Sequence, residues 1–141
     1  MEQLLDFASN NLLLVAAFFI VLGLIIKMEV ERKVSGTKNL SPMEATRLLS
    51  RDEALMLDVR DDSEYKSGHI KNAVHIPVDA LNERLGEIEK HKDKPVIVYC
   101  RTGIRSRKAC TTLKKAGFGE LYRLDGGVVS WESANLPLTK K

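Results

Sequence analysis

The sequence is poor in cysteine, with only two in 141 residues. Two cysteines cannot form the disulfide framework that stabilises small secreted domains. We therefore expect a reducing compartment, in which any special cysteine is reactive rather than structural.

A strong charge of either sign is also missing. The 22 Lys and Arg residues oppose 19 Asp and Glu residues, so the formal net charge is only +3, and this excess lies entirely in residues 39–141. Nucleic-acid binding usually requires a dense basic face. The composition therefore predicts no nucleic-acid partner.

No Lys or Arg precedes the apolar run Leu12–Ile26, which itself contains no polar residue. A signal peptide would begin with basic residues and end in an A-x-A-like site, and a mitochondrial presequence would be rich in Arg. With its flanks the run reaches about 20 residues, the length that crosses a bilayer. We predict a short tail at 1–6, a transmembrane helix at 7–28 and a charged linker at 29–38 that breaks at Ser35-Gly36.

The positive charges near this segment all follow it. Lys27, Arg32, Lys33 and Lys38 lie after the apolar run, and none lies before it. The positive-inside rule then predicts a single-pass protein with its N-terminus outside and residues 39–141 in the cytoplasm. This orientation agrees with the reducing compartment expected for the cysteines.

Residues 39–141 alternate between helix and strand patterns. Ser41 to Glu44 form a capping box with proline at the first helical position, which predicts a helix to about Ser50. Such alternation is typical of an α/β fold with a central, mainly parallel sheet flanked by helices. The predicted strands are 54–59, 73–77, 96–99 and 120–124. A second predicted helix begins near Asp79, with Leu81, Leu85 and Ile88 facing the core, and a third begins near Arg105.

Cys100 follows the continuously apolar strand Val96–Tyr99 and precedes a predicted helix. Ligands of parallel sheets bind beyond the carboxyl ends of the strands. Backbone N–H groups of the following loop and first helical turn would converge on the sulfur, and Arg101 and Arg105 lie nearby. Such a setting lowers the pKa of a thiol from its usual value of ~8.5. The loop is therefore expected to hold an anion beside a thiolate nucleophile.

Three segments resemble the signatures of one family, the rhodanese sulfurtransferases. They are LDVRDDSEYKSGHIKNAVHIP at 57–77, YCRTGIRS at 99–106 and LDGGVVSWESANLPL at 124–138. The resemblance covers about 39–141 and is strongest to the single-domain, membrane-tethered rhodaneses of bacteria. It implies a rhodanese-like domain attached to the bacterial inner membrane.

The resemblance also implies an activity. Cys100 would take a sulfur atom from a small anionic donor such as thiosulfate, carry it as a persulfide and pass it to a thiophilic acceptor, a thiol or a protein. No cofactor and no metal would be needed, since a cysteine of lowered pKa suffices for covalent catalysis. The residues implied to bind the substrate are those that follow the nucleophile: Arg101, Thr102, Gly103, Ile104 and Arg105.

Other residues that attract attention are expected to serve the structure. Asp58 and Arg60 end a strand, and in the family such a pair mostly braces the loops near the site. Cys110 has helical spacing with apolar neighbours, which favours a place in the core. His69 and His75 lie in a turn segment of the family, so a Cys–His dyad is not expected.

Two alternatives remain at this stage. Cys-based phosphatases place five residues between the cysteine and the phosphate-binding arginine, but here that arginine position holds Ser106. The domain could instead be a binding or scaffold module for membrane-protein partners, although such modules usually lack the cysteine. Hydrolysis of an aryl phosphate would identify the first, and a failure to accept sulfur would favour the second.

Overall fold

A computed structural model of the chain describes residues 1–34, 37–51 and 53–140. Its internal contacts divide the chain into two units, Met1–Gly36 and Thr37–Lys141. Two helices make up most of the described part of the first unit, and the second unit holds the mixed helices and strands that the sequence predicts.

The first unit consists of α1 (Glu2–Asn10) and α2 (Leu12–Val34). Asn11 separates them, because its side-chain amide donates to the Phe7 carbonyl at 3.0 Å and its φ and ψ of −127° and 42° leave the helical region. Residues Leu12–Val30 are long and apolar enough to cross a membrane.

These helix limits differ from the prediction of a tail at 1–6, a span at 7–28 and a linker at 29–38. Most of the tail is helical, and α2 continues to Val34, because Glu, Arg and Lys favour helix nearly as well as Leu does. The predicted break at Ser35-Gly36 lies outside the described residues.

The second unit is built on a five-stranded sheet with the order β1-β5-β4-β2-β3, and every neighbouring pair of strands is parallel. This confirms the predicted α/β class. The strands are β1 (Lys38–Leu40), β2 (Leu55–Asp58), β3 (Val74–His75), β4 (Val96–Tyr99) and β5 (Leu121–Leu124), and the helices are α3 (Pro42–Arg51), α4 (Asp62–Ser67), α5 (Ile104–Lys115) and α6 (Gly127–Ser133).

Strand β4 lies at the centre of the sheet and is buried on both faces. Val96 and Val98 pack into one hydrophobic layer with Leu113 of α5, whereas Ile97 and Tyr99 pack into the other layer. A strand covered on both sides needs an unbroken apolar run, which is why β4 shows no alternation. Cys100 directly follows the last residue of this buried strand.

Capping decides where two helices begin. The predicted box at α3 is confirmed: the Ser41 N–H donates to the Glu44 carboxylate at 2.7 Å, and the Glu44 N–H donates to the Ser41 hydroxyl at 3.2 Å. A second helix, α4, was not predicted, although the Asp61 N–H donates to Glu64 at 3.1 Å in the same way. Strand β1 was also missed, because three residues carry too little pattern.

The predicted helix beginning near Asp79 is wrong. The structure has three short 3-10 turns there, at Val78–Ala80, Leu85–Glu87 and Glu89–His91. Leu81 and Ile88 are fully buried, as the helical spacing indicated, and Leu85 is partly buried. Gly86, a poor helix former, lies in the middle of the segment, so burial of the apolar residues is achieved without a continuous helix.

Candidate active site

Cys100 lies between the carboxyl end of β4 and the start of α5, where the sequence predicts the reactive thiol. The chain turns at Gly103, whose φ of +117° is a conformation that side chains with a Cβ rarely adopt. This turn brings the Gly103 N–H to 3.0 Å from the Cys100 Sγ, to which it donates. The thiol is only 1% exposed, so its surroundings are made of protein groups rather than bulk water.

Two opposing effects act on the pKa of the Cys100 thiol. Burial raises it, because a thiolate is poorly solvated away from water. The nearby backbone N–H groups of Ser106, Gly103 and Thr102 and the Ser106 side chain lower it, and among them the Gly103 N–H donates directly to the sulfur. The hydrogen bonds prevail, so the pKa of Cys100 lies below its ordinary value and the thiolate is favoured.

Ser106 is a site residue that the sequence analysis did not select. It is fully buried in the first turn of α5, and its hydroxyl donates to the Gly103 carbonyl at 2.8 Å. This bond fastens the turn that presents the Gly103 N–H to the sulfur. A signal was available, because the first N–H groups of any helix lack partners within the helix and can serve an anion.

Helix α6 holds the other side of the loop. The Val128 N–H donates to the Cys100 carbonyl at 2.9 Å, and the Val129 N–H donates to the Arg101 carbonyl at 3.2 Å. Since the C=O and N–H of a peptide plane point in opposite directions, this arrangement turns the following N–H groups away from α6. Gly127 permits the approach: a Cβ there would lie 2.4 Å from the Cys100 carbonyl oxygen.

The structure places the predicted substrate-binding residues at different depths. Arg101, Thr102 and Ile104 are exposed, with Ile104 82% exposed, whereas Gly103 is half-buried beneath them. Arg101 lines a shallow cavity of about 240 Å³ on the α6 side of the loop. The inner face of the loop therefore presents the Gly103 N–H, and its exposed rim, formed by Arg101, Thr102 and Ile104, presents the Arg101 guanidinium.

Arg105 is also half-buried, and its guanidinium contacts a protein carboxylate. Its two terminal nitrogens donate to Glu64 at 2.7 and 3.0 Å, and Asp61 lies 3.8 Å away. The bond to Glu64, and to a smaller extent the charge of Cys100, raise the pKa of Arg105. Sequence reasoning missed Glu64, which lies 41 positions from Arg105.

Asp58 and Arg60 form a buried ion pair beneath the site. Arg60 donates to Asp58 from its backbone N–H at 2.9 Å, from Nε at 3.0 and 3.1 Å and from Nη2 at 2.7 Å. The Tyr99 hydroxyl adds a bond to Asp58 at 2.8 Å, and Arg60 also donates to the Gly68 carbonyl at 2.7 Å. The pair connects β2, the end of β4 and the turn after α4.

The second cysteine and the two histidines have partners away from the sulfur of Cys100. Cys110 is a buried residue of α5 that packs into the core, and burial raises its pKa to about 12. His69 and His75 stack on opposite faces of Tyr65, with ring centroids 3.8 and 4.3 Å away. No group of three or more His, Cys, Asp or Glu side chains that could hold a metal ion occurs among the described residues.

Comparison with known proteins gives a consistent result. The profile of the rhodanese-like domain matches residues 41–134. The uncharacterized protein YibN of Escherichia coli K12 is 32% identical over 99% of both chains. A tRNA uridine(34) hydroxylase of Enterobacter is 35% identical over 65% of this chain and 28% of its own. The crystal structure of a Pseudomonas aeruginosa thiosulfate sulfurtransferase is 31% identical, covers 79% of this chain and 21% of its own, and has a TM-score of 0.67.

Proposed function

The chain belongs to the rhodanese family, and we propose that it is a membrane-anchored sulfurtransferase that carries sulfur on Cys100. The observation that carries the proposal is the hydrogen bond from the Gly103 N–H to the Cys100 Sγ at 3.0 Å, beside the Ser106 and Thr102 N–H groups, which also lower the pKa of this thiol. A structural cysteine in a core needs none of these donors, as Cys110 illustrates.

The proposed reaction has two steps. The Cys100 thiolate attacks the outer sulfur of thiosulfate or a related donor, the S–S bond of the donor breaks, and sulfite leaves with the electron pair. The new terminal sulfur carries the negative charge, which the N–H groups of the loop stabilise as they stabilised the thiolate. An acceptor thiolate then attacks that sulfur and regenerates Cys100. The lowered pKa of Cys100 favours the thiolate, so the proposed reaction includes no separate general base.

The donor would enter over the rim of the loop. Arg101 is an exposed cation there, and no carboxylate among the described residues forms an ion pair with it. A guanidinium suits the oxygens of a sulfonate-type group. We therefore propose a small anionic sulfur donor, with a thiol or a protein thiol as acceptor.

The test is sulfur loading of the full chain in detergent micelles. After thiosulfate is added, intact mass and peptide mapping should show one extra sulfur atom on the peptide that contains Cys100, and cyanide should remove it. Cys100→Ser should lose the gain, and the matched variant Cys110→Ser should keep it.

If a folded chain accepts no sulfur from thiosulfate or from an organic persulfide, the enzymatic proposal is wrong. The loop would then be an anion- or partner-binding surface, and the chain would be a scaffold for membrane partners. Release of phosphate from an aryl phosphate would instead indicate a phosphatase.

We also propose that α2 anchors the protein in the bacterial inner membrane, with the N-terminus outside and the catalytic domain in the cytoplasm. The support is the apolar stretch Leu12–Val30, with Lys27 near its carboxyl end and Arg32 and Lys33 after it. Protease added to intact spheroplasts should leave Thr37–Lys141 uncut, whereas protease added to inverted vesicles should cut it. The opposite pattern would reverse the orientation.

A further inference from the structure

Arg105 has a carboxylate partner before any substrate arrives. Glu64 accepts both of its terminal nitrogens, and the two side chains are 28% and 30% exposed, so the pair is open to an approaching anion. Arg101, by contrast, has no ion-pair partner among the described residues. The positive charge of Arg105 is therefore largely neutralised before a donor arrives, whereas that of Arg101 is not.

The charge of Arg105 acts on two groups. Glu64 binds it directly, and the Cys100 thiolate interacts with it through space. Asp61 adds a further negative charge at 3.8 Å. A doubly charged donor that reaches Cys100 on this side meets a thiolate and two carboxylates against one guanidinium, whereas a singly charged donor pays half of that repulsion.

We propose that Glu64 determines the charge class of the donor: by neutralising Arg105 it favours singly charged sulfane-sulfur donors, RSO2S⁻ or RSS⁻, over dianionic thiosulfate. This inference rests on the proposed function and concerns the same site. Glu64 acts through Arg105 and through the field, so it is a specificity-determining residue and not a catalytic one.

Two donors of different charge make the inference testable, because their chemistry is otherwise the same. With thiosulfate, the Cys100 thiolate forms a bond to the outer sulfur and sulfite leaves. With methanethiosulfonate, the same bond forms and methanesulfinate leaves with the electron pair. Each reaction gives the same Cys100 persulfide, and neither needs an oxidant or a reductant.

The variant is Glu64→Gln in the full chain in detergent micelles. The glutamine carbonyl can still accept from Arg105 and from the Asp61 N–H, so the helix cap is retained while the charge is lost. At roughly 7 Å in a water-like dielectric, one unit charge changes the rate by about threefold for each charge on the donor. We expect kcat/KM to rise about tenfold for thiosulfate and about threefold for methanethiosulfonate.

The matched control is Glu89→Gln. Glu89 forms an exposed ion pair with Lys92 at 3.4 Å, in the turn before the amino end of β4 and thus at the other end of the sheet. This control should leave both values unchanged. The increases in kcat/KM caused by Glu64→Gln should become smaller and more alike for the two donors as ionic strength rises, because the effect is electrostatic.

The pH dependence of Cys100 alkylation gives an independent measurement. Freed from Glu64, Arg105 should favour the thiolate more strongly, and the apparent pKa of the thiol should fall in Glu64→Gln. Equal changes for the two donors, or a loss with thiosulfate, would overturn the inference and make Glu64 a positioning residue for Arg105. If neither donor loads Cys100 in the wild-type chain, the proposed function itself fails, which intact mass distinguishes from the first result.

Discussion

The buried pair of Asp58 and Arg60 allows a quantitative prediction for stability. Asp58 is fully buried and accepts hydrogen bonds from the Arg60 backbone, from its guanidinium and from the Tyr99 hydroxyl. Asp58→Ala would leave a guanidinium that is 5% exposed without its counter-charge and a buried phenol without its acceptor. Removing one partner of a buried ion pair costs about 3–5 kcal/mol.

This loss is large against the ~5–15 kcal/mol that stabilises a typical domain. Both hydrophobic layers lie within Thr37–Lys141, so that fragment suits the measurement. Urea titration followed by circular dichroism should show the free energy of unfolding fall by about 3–5 kcal/mol in Asp58→Ala. The comparison variant is Asp79→Ala, whose ion pair with Lys108 spans 3.6 Å between exposed side chains and should have no measurable effect.

A decrease in Asp58→Ala below about 1 kcal/mol, the range of exposed pairs, would refute the reasoning. It would mean that the Arg60 guanidinium reaches water once its partner is gone. The Arg60 bond to the Gly68 carbonyl opposes such a movement, because it fixes the guanidinium from a second direction.

Three further predictions concern the loop and its neighbours. Gly127→Ala should slow persulfide formation at least about tenfold with the fold retained, since its Cβ would collide with the Cys100 carbonyl; Gly119→Ala, which has open space, should not. Iodoacetamide should alkylate Cys100 with an apparent pKa below the ~8.5 of free cysteine and should not modify Cys110 before unfolding, and equal rates would contradict the pKa assignments. The pKa of Glu64 is lowered, chiefly by its bond to Arg105, so this pair stabilises the fold above the unfolded pKa of ~4.3. The contribution is lost as pH falls from that value through the lower pKa of the folded state. The free energy of unfolding of Glu64→Gln should therefore depend less on pH in an acid titration than that of the wild-type chain.

The sequence was sufficient to predict what depends on local pattern. The unbroken apolar run Val96–Tyr99 indicates a central strand, and Cys100 at its end indicates a nucleophile at the ligand-binding edge of the sheet. The box at Ser41 and Glu44 predicts where α3 begins. In each case one short stretch carries both the signal and its physical reason.

Features that depend on distant segments could not be predicted in this way. The bond between Arg105 and Glu64 joins residues 41 positions apart, and nothing local to Arg105 indicates a carboxylate partner. The segment after Asp79 shows another limit, because a helical spacing of buried residues can be met by successive 3-10 turns. The effect of Ser106 on the pKa of Cys100 likewise depends on how tightly the loop closes.

The contact between α6 and the Cys100 loop has a consequence for biosynthesis. The thiol and its donors lie at positions 100–106, but Val128 and Val129, which orient that loop, leave the ribosome more than twenty residues later. The surroundings of Cys100 are therefore complete only after α6 has been synthesised, and a shorter nascent chain exposes an ordinary thiol. We expect a fragment that stops at Asp125 to alkylate with an apparent pKa close to that of free cysteine, so that the reactivity of the thiol is acquired only once α6 contacts the loop.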